Sequence, residues 1–169
     1  MSRSETGRMV LETIGETDVL VTRYFAASPE AVYRAHTEAR LIQQWLLGPE
    51  GWTMPVCEND ARAGGEFRYE WVKADGSARF SITGEILEIE PGKRILHVER
   101  MHLPELPGPT PDNRIETRFD AEGKGTMMTM RMHLPDEKTR AMMLATGMEK
   151  GMEASYVRLE GLGEAGLRD

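Results

Sequence analysis

Pro135–Leu162 reads PDEKTRAMMLATGMEKGMEASYVRLEGL, and its reading decides the fold. Apolar residues recur at Met142, Ala145, Met148, Met152, Tyr156, Leu159 and Leu162. Steps of three and four place them on one stripe of a helix. Asp136 and Glu137 stand in the first turn, where carboxylates suit the helix dipole. Gly161 and Gly163 are natural stops. The spacing therefore predicts one long C-terminal helix. Gly147 and Gly151 lie inside it, each at a cost of about 1 kcal/mol against alanine. They mark either a bend, a close approach of another element, or space opened beside the helix. Met in place of Leu suits an irregular pocket wall as well as an ordinary core.

The chain upstream of this helix reads mostly as strands. Asp18–Ala26 alternates and is rich in β-branched and aromatic residues. Val10–Ile14 either extends that strand or precedes it. Ser28-Pro29-Glu30 opens a short helix, with Ser28 as N-cap and Pro29 at the first helical position. A second helix, capped by Thr37, runs over Glu38–Leu47 and ends in Gly48-Pro49-Glu50-Gly51. Thr53–Asn59 is a strand that Pro55 assigns to an edge. Glu66–Lys73 places Phe67, Tyr69 and Trp71 on one face. Asp75-Gly76 turns into Arg79–Glu90, where Phe80, Ile82, Gly84 and Ile86 share a face. Arg94–Met101, Arg114–Phe119 and Thr126–His133 complete the set; Met128, Met130 and Met132 share a face of the last. Short connections imply an antiparallel meander. The expected fold is α+β: a curved antiparallel sheet of about six or seven strands wrapped around a long C-terminal helix, with a pocket between them.

Composition bounds the function. The 169 residues suit one domain, with residues 1–8 as a loose polar tail. Hydrophobic residues make up 40% and charged residues 29%, as in an ordinary soluble domain. No stretch is apolar enough to insert in a bilayer, and the N-terminus lacks the apolar core of a signal peptide. Cys57 is the only cysteine, so a reducing, cytoplasmic location is expected. A net charge of -7 disfavours nucleic acid and anionic membrane as partners. Methionine density and exposed strand edges allow a homodimer without requiring one.

The stretch Trp45–Trp71, WLLGPEGWTMPVCENDARAGGEFRYEW, resembles the START-like (SRPBCC) superfamily with the helix-grip fold. Its carriers are the Trp that closes a helix, the Gly-Pro-Glu-Gly-aromatic run and the Asp60-x-Arg62-x-Gly64-Gly65-x-Phe67 pattern. Within the superfamily the chain is similar to bacterial proteins related to the C-terminal domain of the heat-shock-protein-90 ATPase activator. Ser28–Tyr33 and Gly151–Leu159 resemble that family's first and last helices, so the likeness spans Asp18 to Leu162. Leu46 and Met152 stand where many relatives carry Trp, and His97 and Glu99 where apolar or aromatic residues are usual. These departures from the family's pattern suggest a pocket with more Met and some polar character.

The expected pocket wall is Trp45, Phe67, Tyr69, Trp71, Phe80, Met128, Met130, Met148, Met152 and Tyr156. Each of these also suits plain core. His97 and Glu99 share a face with Ile95 and Met101. Turned inward, they supply polar ligand contacts or an acid–base pair; otherwise that face opens to solvent near the strand end. Three functions follow: a binding protein for a small apolar or amphipathic molecule, a cyclase- or hydrolase-type enzyme using His97 and Glu99, or a chaperone-interaction module. The expectation leans away from an enzyme. No cofactor motif and no metal-ligand spacing is present, although His97, Glu99, His102 and His133 together make a metal site conceivable. Cys57 reads as buried and inert. Asp60 and Arg62 read as a structural ion pair.

Overall fold

The computed structural model describes residues 8–167, so residues 1–7 of the expected tail lie outside the described residues. In chain order come β1 (Val10–Ile14), β2 (Asp18–Phe25), α1 (Pro29–Thr37), α2 (Ala39–Trp45), β3 (Trp52–Asn59), β4 (Glu66–Lys73), β5 (Arg79–Glu90), β6 (Arg94–His102), β7 (Asn113–Glu122), β8 (Gly125–His133), α3 (Glu137–Leu144) and α4 (Met148–Gly166). The strands form one antiparallel sheet of eight, ordered β1-β2-β8-β7-β6-β5-β4-β3. The pair α1–α2 carries the chain from β2 to the far edge, and the rest of the sheet returns as hairpins. Val10–Ile14 is a strand of its own, which raises the count to eight. Pro55 does lie on an edge strand, within a register shift between Thr53 and Val56. There the missing N–H interrupts no inner ladder.

Local chemistry sets the helix ends. Ser28 caps α1, its hydroxyl accepting from Ala31 N at 3.2 Å. Asp136 caps α3 by accepting from Thr139 N at 2.7 Å. The single long helix expected over 135–162 is instead two. Gly147 sits at φ +84°, ψ +18°, the left-handed region, and ends the first run before α4 begins. α3 buries no residue, and Met142, expected on the core stripe, is 60% exposed. The long gripped helix is α4, with Ser155, Tyr156 and Leu159 buried. Gly163 interrupts it at φ +60°, close to the expected stop.

α4 is fastened to its surroundings by polar bonds. Glu153 accepts from Met9 N at 2.9 Å, Glu160 from Ala26 N at 3.1 Å, and Glu164 from Ser28 N at 2.8 Å. Ser155 Oγ accepts from Gly48 N at 2.9 Å, and Arg158 donates to Gly48 O at 2.5 Å. The Gly48–Gly51 loop is thereby tied to the helix. Two indoles brace α2, which leads into that loop. Trp45 Nε1 donates to Ala35 O at 2.9 Å and Trp71 Nε1 to Leu46 O at 2.7 Å.

The hydrophobic core falls into two clusters. One gathers β2, β7 and β8 with α1, α2 and α4, around Val21, Phe25, Trp45, Phe119, Met128, Tyr156 and Leu159. The other lies over β3, β4 and β5, around Met54, Phe67, Tyr69, Trp71 and Ile86. Small domains usually hold one contiguous core.

Candidate ligand-binding site

His97 and Glu99 occupy the seam between the clusters. Strand register shows the face they share. Across β4 and β5, Phe67 opposes Gly84, Tyr69 opposes Ile82 and Trp71 opposes Phe80. Across β5 and β6, Ile82 opposes Met101, Gly84 opposes Glu99 and Ile86 opposes His97. Glu99 then opposes Asn113 and His97 opposes Ile115, which opposes Met132. All of them therefore stand on the concave face that grips α4. Of the two orientations open from sequence, the inward one is found.

His97 Nε2 lies 2.8 Å from Glu99 Oε1, and the two side chains are 17% and 24% exposed. Neither belongs to a closed core. The His97 ring meets Phe67 edge-on, with centroids 5.3 Å apart. Phe80 and Ile82, packed on one cluster, and Met130, Met143, Leu144, Met148 and Met152, packed on the other, are all only partly buried. Phe67 and Tyr69 stack at 5.3 Å, as do Trp71 and Phe80 at 4.8 Å. Gly84 makes this possible. A Cβ there would lie 2.4 Å from Phe67 Cζ and 2.2 Å from Val98 O, so only glycine lets the Phe67 ring cross β5.

Burial pushes the phenols of Tyr69 and Tyr156 well above their usual range, and the charge of Glu99 acts on both in the same direction. Tyr69 is on the sheet and Tyr156 on α4, so the Glu99 carboxylate faces the space between the layers. The Tyr69 hydroxyl accepts from Asn59 Nδ2 at 2.6 Å.

The residues expected to line a pocket separate into two groups. Phe80, Met130, Met148, Met152, His97 and Glu99 are partly open. Trp45, Met128 and Tyr156 sit in the closed core, and Phe67, Tyr69 and Trp71 show only an edge. A surface depression of about 550 Å³ beside the start of α4, lined by Arg8, Met9, Gly147, Glu149, Lys150 and Glu153, contains none of them.

Of the four conceivable metal ligands, only His97 and Glu99 meet. His102 Nε2 lies 2.8 Å from the Thr83 hydroxyl, and His133 Nδ1 lies 2.7 Å from Asp18 Oδ1. Among the described residues no group of three His, Cys, Asp or Glu side chains could hold a metal ion. Burial pushes the Cys57 thiol up to about 11, which leaves little thiolate at neutral pH. Asp60 and Arg62 pair at 2.8 Å on the surface.

Three inward polar residues escaped the sequence reading. Arg23 is 3% exposed, donates to Tyr24 O at 2.6 Å, and pairs with Glu160 at 3.2 Å and Glu153 at 3.8 Å. Alternation through Val19, Val21 and Phe25 already places it on the core face. Asn113 stands on the same parity as Ile115, Thr117 and Phe119. His36 lies against Trp45 and Phe119, with centroids at 4.9 and 5.1 Å, and no single-residue signal marks it.

An antiparallel sheet gripping a long C-terminal helix, with two short helices inserted after the second strand, is the helix-grip architecture of the START-like superfamily. The family model described as activator of Hsp90 ATPase homolog 1-like protein matches residues 26–164, and the chain belongs to that family. A solved structure from Rhodobacter sphaeroides is 26% identical and superposes with a TM-score of 0.82 over 92% of this chain and 97% of that one. A Staphylococcus epidermidis structure is 24% identical, with a TM-score of 0.76 over 91% and 93%. An AHSA1-like protein from Aeromonas hydrophila is 22% identical, with a TM-score of 0.71 over 89% and 95%. No curated protein matches the chain. No helix among the described residues is long and apolar enough to cross a membrane.

Proposed function

We propose that this protein binds a small apolar or amphipathic molecule between the concave face of the sheet and α3–α4. The observation that carries the reading is the inward His97–Glu99 pair, partly open and standing where the core divides in two. A filled interior would place apolar side chains there, because polar groups out of water are costly unless they are fully paired. Half-buried Met and aromatic side chains around a few convergent polar groups are the usual composition of a ligand pocket. Native mass spectrometry of protein purified from its own host tests this directly. The expected result is a stoichiometric small molecule released on denaturation. A clean apo mass, with no thermal shift across lipids and aromatic metabolites, would overturn it.

The family description supports a second reading, that the domain modulates an Hsp90-type chaperone. Its test is chaperone ATPase activity with and without the protein. Unchanged turnover, together with no chaperone recovered in a nucleotide-loaded pull-down, would sink it.

A further inference from the structure

We propose that the preferred ligand is an amphiphile with a cationic, hydrogen-bond-donating head, such as a protonated amine, seated at Glu99; this rests on the pocket reading above. The polar atoms left uncommitted at the seam are predominantly acceptors. Glu99 Oε1 is met by His97, while Glu99 Oε2 has no protein partner among the described residues. Asn113, opposite Glu99 on the next strand, is 8% exposed, and its Oδ1 is buried without a partner. Its Nδ2 reaches only Met143 Sδ, at 3.9 Å. His36 Nδ1 lies 2.7 Å from Val32 O, so it must be the protonated nitrogen. That leaves His36 Nε2, on a ring packed against Trp45 and Phe119, as a buried lone pair without a partner. Buried polar groups of this kind are ordinarily satisfied, and ligand N–H groups would satisfy them.

The charge balance points the same way. Arg23, the guanidinium on this face, is already balanced by Glu153 and Glu160 at its two terminal nitrogens, and only its Nε is buried without a partner. The phenols of Tyr69 and Tyr156 are held neutral by burial. A carboxylate head would meet the like charge of Glu99, and the one guanidinium on this face is already neutralised by two carboxylates. An ammonium head would gain a charge-assisted bond to Glu99.

Calorimetry with decylamine, decanol and decanoate, each below its micellar concentration and at fixed salt, separates head from tail. Wild-type protein is expected to bind the amine about tenfold more tightly than the alkanol, and the alkanoate more weakly than either. Glu99→Gln, which keeps shape and one acceptor, should bring the amine-to-alkanol ratio to within about threefold, as expected when a charge-assisted bond becomes a neutral one. Glu122→Gln, on the exposed end of β7, should leave the ratio unchanged and so controls for the general attraction of amines to an acidic protein. An alkanoate that binds as tightly as the amine, or an amine preference that survives Glu99→Gln, overturns the head-group inference. Tight alkanol binding without amine preference overturns it alone and leaves the pocket reading standing. Absence of binding by all three overturns both.

Discussion

His36 makes the stability of this protein depend on pH in a way that one substitution can isolate. Its ring is wedged between Trp45 and Phe119, its Nδ1 donates to Val32 O, and its Nε2 has neither solvent nor partner. Burial pulls its pKa from 6.5 down to about 4, against the opposing effect of the Val32 bond, and the charge of His97 adds to the depression. Between those two values the unfolded chain binds a proton that the folded chain refuses. Stability is therefore whole above pH 6.5 and falls as pH drops toward 4. Over pH 7 to 5 a full depression corresponds to about 2 kcal/mol of lost stability. The residue as a whole is only half-buried, so that figure is an upper bound. Urea unfolding at pH 7, 6 and 5 measures the slope. His36→Phe keeps a ring between Trp45 and Phe119 and cannot titrate, so its curve should be flatter than wild type by about 1 to 2 kcal/mol across that window. Asp18 and Glu116, whose carboxyls are also held below their usual values, are common to both proteins and cancel in the difference. Equal slopes would refute the claim that His36 is held neutral in the fold.

Three further outcomes are expected. Gly84→Ala forces a Cβ to within 2.4 Å of Phe67 Cζ and 2.2 Å of Val98 O, and should cost about 2 to 3 kcal/mol in urea unfolding; an unchanged midpoint would mean that β5 relaxes freely. The two glycines near the start of α4 should respond oppositely. Gly147→Ala strains a left-handed residue and should destabilise by about 1 kcal/mol. Gly151→Ala, with only Pro49 Cδ at 3.6 Å, should stabilise by up to about 1 kcal/mol, and thermal melts of the pair would show a shared sign if the break at Gly147 were wrong. Cys57 should react with a disulfide reagent at pH 7.5 about a hundred times more slowly than a free thiol of pKa 9, since its thiol sits near 11; full-rate labelling of native protein would contradict that burial.

The sheet was legible because its alternation has a period of two, which a one-residue slip would invert. Phe67, Tyr69 and Trp71, and equally Met128, Met130 and Met132, share their faces as the pattern implies. The break in the C-terminal helix was not legible by that means. A 3.6-residue stripe runs through 142–162 without regard to backbone φ, and the periodicity cannot see that Gly147 turns left-handed. Once it does, the stripe splits: Met148, Met152, Tyr156 and Leu159 stay on the gripped face, while Met142 swings to the surface. The consequence reaches the site. An eight-residue helix with no buried side chain, jointed at Gly147, covers the Asn113 end of the seam through Met143.

The polar residues show a different limit. His97 and Glu99 were placed on one face by alternation, but whether that face was wet depended on register with Gly84 and Ile86, which are distant in sequence. Arg23 and Asn113 carried the same parity signal, and a charged or amide residue at a core position of a strand is informative because burial without a partner is costly. The two terminal nitrogens of Arg23 have their partners, although its Nε has none: Glu153 and Glu160 lie on α4, more than a hundred residues away, at a spacing that follows the helix stripe. Asn113 Oδ1 has none. The two cases divide the inward polar groups into those that hold the helix to the sheet and those left to meet something else. Glu99 belongs with Asn113, because replacing Arg23 should loosen α4, whereas replacing Glu99 should change what the seam accepts.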